Sequence, residues 1–338
     1  MKPKAPVPVA DAGATGAAIL SGTPFAVPVP ESGRVYLRFA PLGLVKSDEA
    51  WDLAFEGWDI FTNSGPSGGG QGGGFGPLDA PVFLSDTAPE IPFVTQDKPG
   101  GAFIDWYEYE GAPAHALWSR FHVYGVKSGD RLWKVQVLGY YGDRDGAPVS
   151  GLYKVRYAEV GNGVAQELDQ LDGTAGGTAA PEGAPSECLD LATGKRMLLT
   201  PAAALASSAW DLCFRRSSIF VNGELSGPRG VGAADVNEAE TAGETVDQVK
   251  ARSADGEKAR FDAVDARVLQ SLVMRGDHVV SVFGNAWVDV AARAPKSVAW
   301  LVVDAAGTRK YVLGFERFED PKASSPGTVR IRFKPVKG

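Results

Sequence analysis

The chain has 338 residues, enough for two domains with separate cores. A formal net charge of −7 excludes a general nucleic-acid binder, which needs a basic surface to neutralise phosphates. Its 42 glycines and 23 prolines point to strands and turns, and no run approaches the ~20 apolar residues of a membrane-spanning helix.

Residues 1–25 are rich in Ala, Pro, Gly and Val without a period and read as a flexible leader. Such a stretch fits a tether behind a lipid anchor or export signal upstream of Lys2, and equally a disordered tail of no function; membrane attachment is expected only through such an anchor. Residues 34–39 then alternate, with Val35, Leu37 and Phe39 on one face and Arg34, Tyr36 and Arg38 on the other, as in a half-buried strand. Residues 51–55 and 60–61 form the next pair of strands. Trp51 reads as a core anchor, with Asp52 pointing the other way. The glycine-rich 68–76 lacks the Gly-Lys-Ser/Thr of a phosphate loop. It reads as a hairpin connection or bulge, its glycines signalling either mobility or close backbone approach.

Phe103, Trp106, Tyr107, Tyr109 and Trp118 make an aromatic group richer than a core of this size requires. Part of it is core, and the rest is a candidate groove or sugar-binding platform. Residues 121–126, 132–141 and 152–157 complete a meander of strands, and 167–185 reads as a Gly/Ala/Thr/Pro-rich linker. Cys188 and Cys213 either pair or remain buried thiols. Paired, they close a loop of about 25 residues and contribute roughly 3 kcal/mol. Residues 235–267 are acidic and alanine-rich, an exposed helix or a mobile insertion. Strands at 297–303, 310–318 and 328–333 close the chain.

An internal repeat organises these elements. Ala50-Trp51-Asp52-Leu53-Ala54-Phe55 recurs as Ala209-Trp210-Asp211-Leu212-Cys213-Phe214. In the same register Ile60-Phe61-Thr62-Asn63 answers Ile219-Phe220-Val221-Asn222, and Ser67-Gly68 answers Ser226-Gly227. The distal ends match as well: Gly151-Leu152-Tyr153-Lys154-Val155-Arg156-Tyr157 parallels Gly327-Thr328-Val329-Arg330-Ile331-Arg332-Phe333. Similarity at both ends of each half predicts two tandem antiparallel all-β domains with long loops, at 26–166 and 186–338.

The motifs Trp51-Asp52-Leu53-Ala54-Phe55, Ile60-Phe61-Thr62-Asn63-Ser64-Gly65, Trp106-Tyr107-Glu108-Tyr109 and Lys134-Val135-Gln136-Val137-Leu138-Gly139-Tyr140-Tyr141 carry a resemblance. Together with Cys188-Leu189-Asp190-Leu191-Ala192-Thr193-Gly194-Lys195 they resemble the HmuY-like family, haem-binding lipoproteins of Gram-negative bacteria. The resemblance implies export, an outer-membrane or extracellular address, and haem or another porphyrin as ligand in iron acquisition. The family's founding member holds iron between two histidines, whereas this chain has only His115, His122 and His278. His115, in a turn-rich segment, is the candidate axial ligand, flanked by Trp106, Tyr107, Tyr109 and Trp118. Met274 lies near His278 as a further candidate in principle.

Nucleophile and zinc motifs are missing, and three histidines leave little material for a triad. The expectation is therefore not an enzyme but an exported surface protein that captures haem, a porphyrin or another surface ligand. The alternative is a structural or protein-interaction module that binds another cell-surface protein, where duplication raises effective concentration.

Overall fold

The computed structural model describes residues 22–79, 94–161, 163–177, 180–181 and 183–336. The fold is all-β: the strands of the four- and five-stranded sheets pair antiparallel, and the described helices are short. Most of the leader, residues 1–21, lies outside the described residues. Its expected end does not hold, because Thr23–Pro28 is an edge strand paired with Thr328–Phe333.

The chain divides into two compact units that do not follow the order of the repeats. One joins the residues up to Lys98 to Val279–Gly338, and the other is Pro99–His278. In the first, a sheet runs Thr23–Pro28, Thr328–Pro335, Lys310–Glu319, Val298–Val303, Gly73–Asp79. A second sheet runs Leu42–Val45, Val35–Phe39, Leu53–Glu56, Asp59–Thr62. Val27, Leu37, Leu53 and Phe55 pack with Trp300, Leu313, Phe315 and Ile331 in one core. Each such side chain contributes about 1.5–3 kcal/mol when removed from water.

The second unit repeats this plan. Its five-stranded sheet runs Gln166–Asp172, Ala147–Glu159, Arg131–Arg144, Val123–Ser128, Gly232–Asp235, and its four-stranded sheet Arg196–Leu199, Ser186–Leu189, Leu212–Arg215, Ser218–Val221. Here Val135, Tyr153 and Tyr157 share a core with Leu189, Leu212 and Phe214. Each unit thus combines the proximal half of one repeat with the distal half of the other. The sequential boundaries 26–166 and 186–338 are corrected accordingly. The repeats are similar enough that a distal half fits either proximal half, and strand pairing chooses: Gly73–Asp79 pairs with Val298–Val303, and Gly232–Asp235 with Val123–Ser128. The expected linker also changes, since Gln166–Asp172 is an edge strand registered on Leu152–Tyr157.

Two open expectations resolve. In 68–76 the glycines answer close backbone approach: a Cβ on Gly76 would lie 2.4 Å from the Trp300 ring, and one on Gly70 2.7 Å from the Asn63 carbonyl. The acidic 235–267 stretch forms Val246–Lys250, Lys258–Ala263 and the start of Ala266–Gln270, helices whose Val249, Phe261 and Leu269 are buried. Phe261 and Leu269 cluster with Val123 and Ala158, so this stretch is a packed helical layer.

Candidate functional site

The predicted aromatic group separates into core and surface. Phe103 and Trp106 are fully buried, with Trp106 donating from Nε1 to the Ser217 carbonyl at 2.7 Å and packing against Tyr140 and Tyr153. Tyr107 and Tyr109 lie on a small hairpin with Trp118, each half-buried. Trp118 donates to Glu110 at 2.7 Å, and the Lys250 ammonium covers its ring 5.2 Å from the centroid. His115 sits in the loop of the hairpin with a positive φ of 52°, its Nδ1 held by the Tyr109 hydroxyl and its ring stacked on that of Tyr109. These residues divide between core and surface. Trp106 is consumed by the core, and Trp118 is capped by a cation. His278 lies in the short strand His278–Val280, with Nδ1 3.4 Å from the Gly276 carbonyl. Met274 packs half-buried beside Leu269.

The repeat carboxylates are structural. Asp52 accepts the Phe39 N–H at 2.6 Å and the Ala305 N–H at 2.8 Å. Asp211 accepts the Leu191 N–H at 2.8 Å and the Ser128 hydroxyl at 2.7 Å, with Arg229 3.2 Å away. The paired tryptophans are buried as expected, but in satellite clusters on the outer face of each four-stranded sheet. A second carboxylate pair escaped the sequence reading. Asp97 takes the Thr62 N–H at 2.9 Å and the Ser67 hydroxyl at 2.6 Å, while Asp277 takes the Val221 N–H at 3.0 Å. Thr62 and Val221 are equivalent in the repeat, so the two aspartates occupy equivalent places. Burial raises both, Asp277 to about 6.

His122 is buried with both nitrogens on carboxylates: Nδ1 is 2.7 Å from Asp235 and Nε2 3.1 Å from Glu244. Glu244 also receives Arg120 at 2.7 Å and Arg252 at 2.5 Å, and Arg120 reaches Glu108. Burial pushes the Glu244 carboxyl up, but the hydrogen bonds from Arg120, His122 and Arg252 outweigh it and hold it at about 2. His122, Glu240 and Glu244 bring potential metal-ligand atoms within 4.8 Å of one another. A cation there would have to displace two guanidinium groups and the Arg260 partner of Glu240, so the cluster reads as a buried ion network.

Among the described residues, a place shaped for a ligand lies on the outer face of the second unit's four-stranded sheet. Cys188 and Cys213 face each other across neighbouring strands and form a disulfide. Beside it opens a largely apolar cleft of about 310 Å³, lined among others by Leu199, Ala204, Leu205, Trp210, Phe220 and Arg215. The helix Pro201–Ala206 forms one wall, started by Thr200 as N-cap and a proline in its first turn. The Trp210 Nε1–H is satisfied on the Ala204 carbonyl at 2.9 Å.

No family model matches this chain, and no curated protein does. The HmuY-like resemblance stands on the sequence motifs themselves. Sequence reasoning passed over the cleft because its lining is dispersed over 99–226 and reads as ordinary core or surface.

Proposed function

We propose that the protein is an exported, non-catalytic binding module that seats an apolar ligand in the cleft beside Cys188–Cys213. The observation that carries this reading is the cleft, an apolar concavity whose volume lies at the lower end of the range typical of small-molecule sites. The disulfide supports the exported part, because such bonds persist in oxidising compartments. The non-catalytic part is supported by Asp52, Asp97 and Asp211, whose carboxylates hold backbone N–H groups and hydroxyls. Haem, the ligand that the resemblance implies, is not the reading favoured, since Trp106 is buried in the core and Lys250 covers the Trp118 ring.

The test is a titration with anilinonaphthalene sulfonate followed by fluorescence, beside a haem titration followed at the Soret band. A saturable fluorescence rise that Ala204→Trp abolishes and His115→Ala preserves is the expected result. A sharp low-spin haem spectrum lost in His115→Ala would overturn it in favour of a haem seat at the hairpin. Absence of any saturable signal would overturn it in favour of a protein-interaction module.

A further inference from the structure

The two repeats place the same backbone under different side chains, and the differences fall on the cleft. In the first unit Tyr36 lies opposite Ala54, and its ring packs on Trp51 with centroids 5.2 Å apart. One register step further, Arg34 Nε binds Glu56 Oε2 at 2.6 Å, and the guanidinium covers the Phe61 ring at 4.5 Å. In the second unit Cys188 lies opposite Cys213 in the equivalent positions, so a tyrosine ring is replaced by a compact disulfide. Continuing that register sets Ser186 opposite Arg215, where the first unit has the Arg34–Glu56 pair. Both Ser186 and Arg215 line the cleft. The exchange removes bulk and the carboxylate partner together. Among the described residues Arg215 has no carboxylate partner, and its Nη1 donates to the Ala184 carbonyl at 2.7 Å.

An apolar hollow with a guanidinium that meets no carboxylate among the described residues suits an amphiphile whose polar end is an anion that accepts several N–H donors. We propose that the cleft takes a medium-chain fatty acid, its chain against Trp210, Phe220, Leu199 and Leu205 and its carboxylate on Arg215. This rests on the cleft being the ligand seat and adds the chemical class of the ligand. The carboxylate supplies the charge that Glu56 supplies to Arg34 in the first unit.

The experiment is calorimetric titration of the full chain with octanoate and with octanol, which share a chain and differ in charge. Octanoate is expected to bind at least about tenfold more tightly, and Arg215→Gln is expected to remove that advantage while leaving octanol unchanged. The double variant Ser186→Arg with Arg215→Glu rebuilds the first unit's ion pair and is expected to lose octanoate binding with an unchanged thermal transition. Ala204→Trp is expected to abolish both ligands. Equal binding of the two ligands, insensitive to Arg215→Gln but lost in Ala204→Trp, would overturn the carboxylate assignment and leave the cleft reading standing. Binding of neither ligand, or binding indifferent to Ala204→Trp, would overturn both.

Discussion

At the scale of single residues, the equivalent aspartates Asp97 and Asp277 show how one missing partner changes a carboxyl. Asp97 satisfies both oxygens, with the Val282 N–H at 3.0 Å on the second. Asp277 is fully buried, and its Oδ1 has no hydrogen-bond partner. Its folded-state value of about 6 lies above the ordinary 3.8, so the folded protein holds this proton more tightly than the unfolded chain. The stabilisation is present below pH 3.8 and is lost as pH rises through 6. Asp277→Asn keeps an acceptor for the Val221 N–H and removes the titration. Urea unfolding at pH 5 and pH 7 should show the wild type losing on the order of 1 kcal/mol relative to the variant. An identical pH dependence in both proteins would contradict this. At Gly76 a methyl group would strike the Trp300 ring, so Gly76→Ala should cost roughly 1–3 kcal/mol, as overpacked cores do, and lower the thermal midpoint.

At the scale of elements, the helical layer over 235–270 is fastened to its sheet by charge as well as by Phe261 and Leu269. Glu244 is held at about 2, below the ordinary 4.5, so its contribution is complete above pH 4.5 and disappears as pH falls through 2. Glu244→Gln takes the shared carboxylate from buried Arg120, which keeps Glu108, and from half-buried Arg252, and should cost roughly 3 kcal/mol. Hydrogen exchange should localise the loss to the helices and the adjoining strand Val123–Ser128. A uniform loss across the second unit would argue against a locally fastened layer. The disulfide acts on the opposite face. Replacing Cys188 and Cys213 together by alanine should lower stability by about 3 kcal/mol in the chain-entropy account, read from denaturant midpoints under non-reducing conditions.

At the scale of the whole molecule, each compact unit draws on both repeats, so the chain between the repeats is dispensable for holding the halves together. A protease site inserted at 160–165 separates the strand Ala147–Glu159 from Gln166–Asp172 and divides the chain between the repeats. Both cysteines fall in the C-terminal fragment, so no covalent bond then joins the pieces. The cleaved protein should still elute from a sizing column as one species, because both cores remain shared between the fragments. Elution as two separate fragments would mean that each repeat closes on itself.

Much of this architecture was legible in the amino-acid order. The alternation of Val35, Leu37 and Phe39 marks a core-facing strand, and the Trp-Asp-Leu-x-Phe duplication marks two equivalent sheets, because these signals are local and have period two. The candidate cysteine pair was visible from the even cysteine count and a separation of 25 residues, which spans a strand-turn-strand. Which distal half joins which proximal half was not legible, since similar repeats carry similar edge sequences and only three-dimensional pairing separates the alternatives. The helical layer was ambiguous because Phe261 and Leu269 find their partners in strands more than a hundred residues away. The candidate site was hidden most completely. The residues named for it, His115 and the hairpin aromatics, are locally conspicuous, whereas the cleft lies where the second unit carries Cys188 and Ser186 at the positions of Tyr36 and Arg34. Composition and periodicity decide what each strand buries; only tertiary pairing decides which side chains share the space beside it.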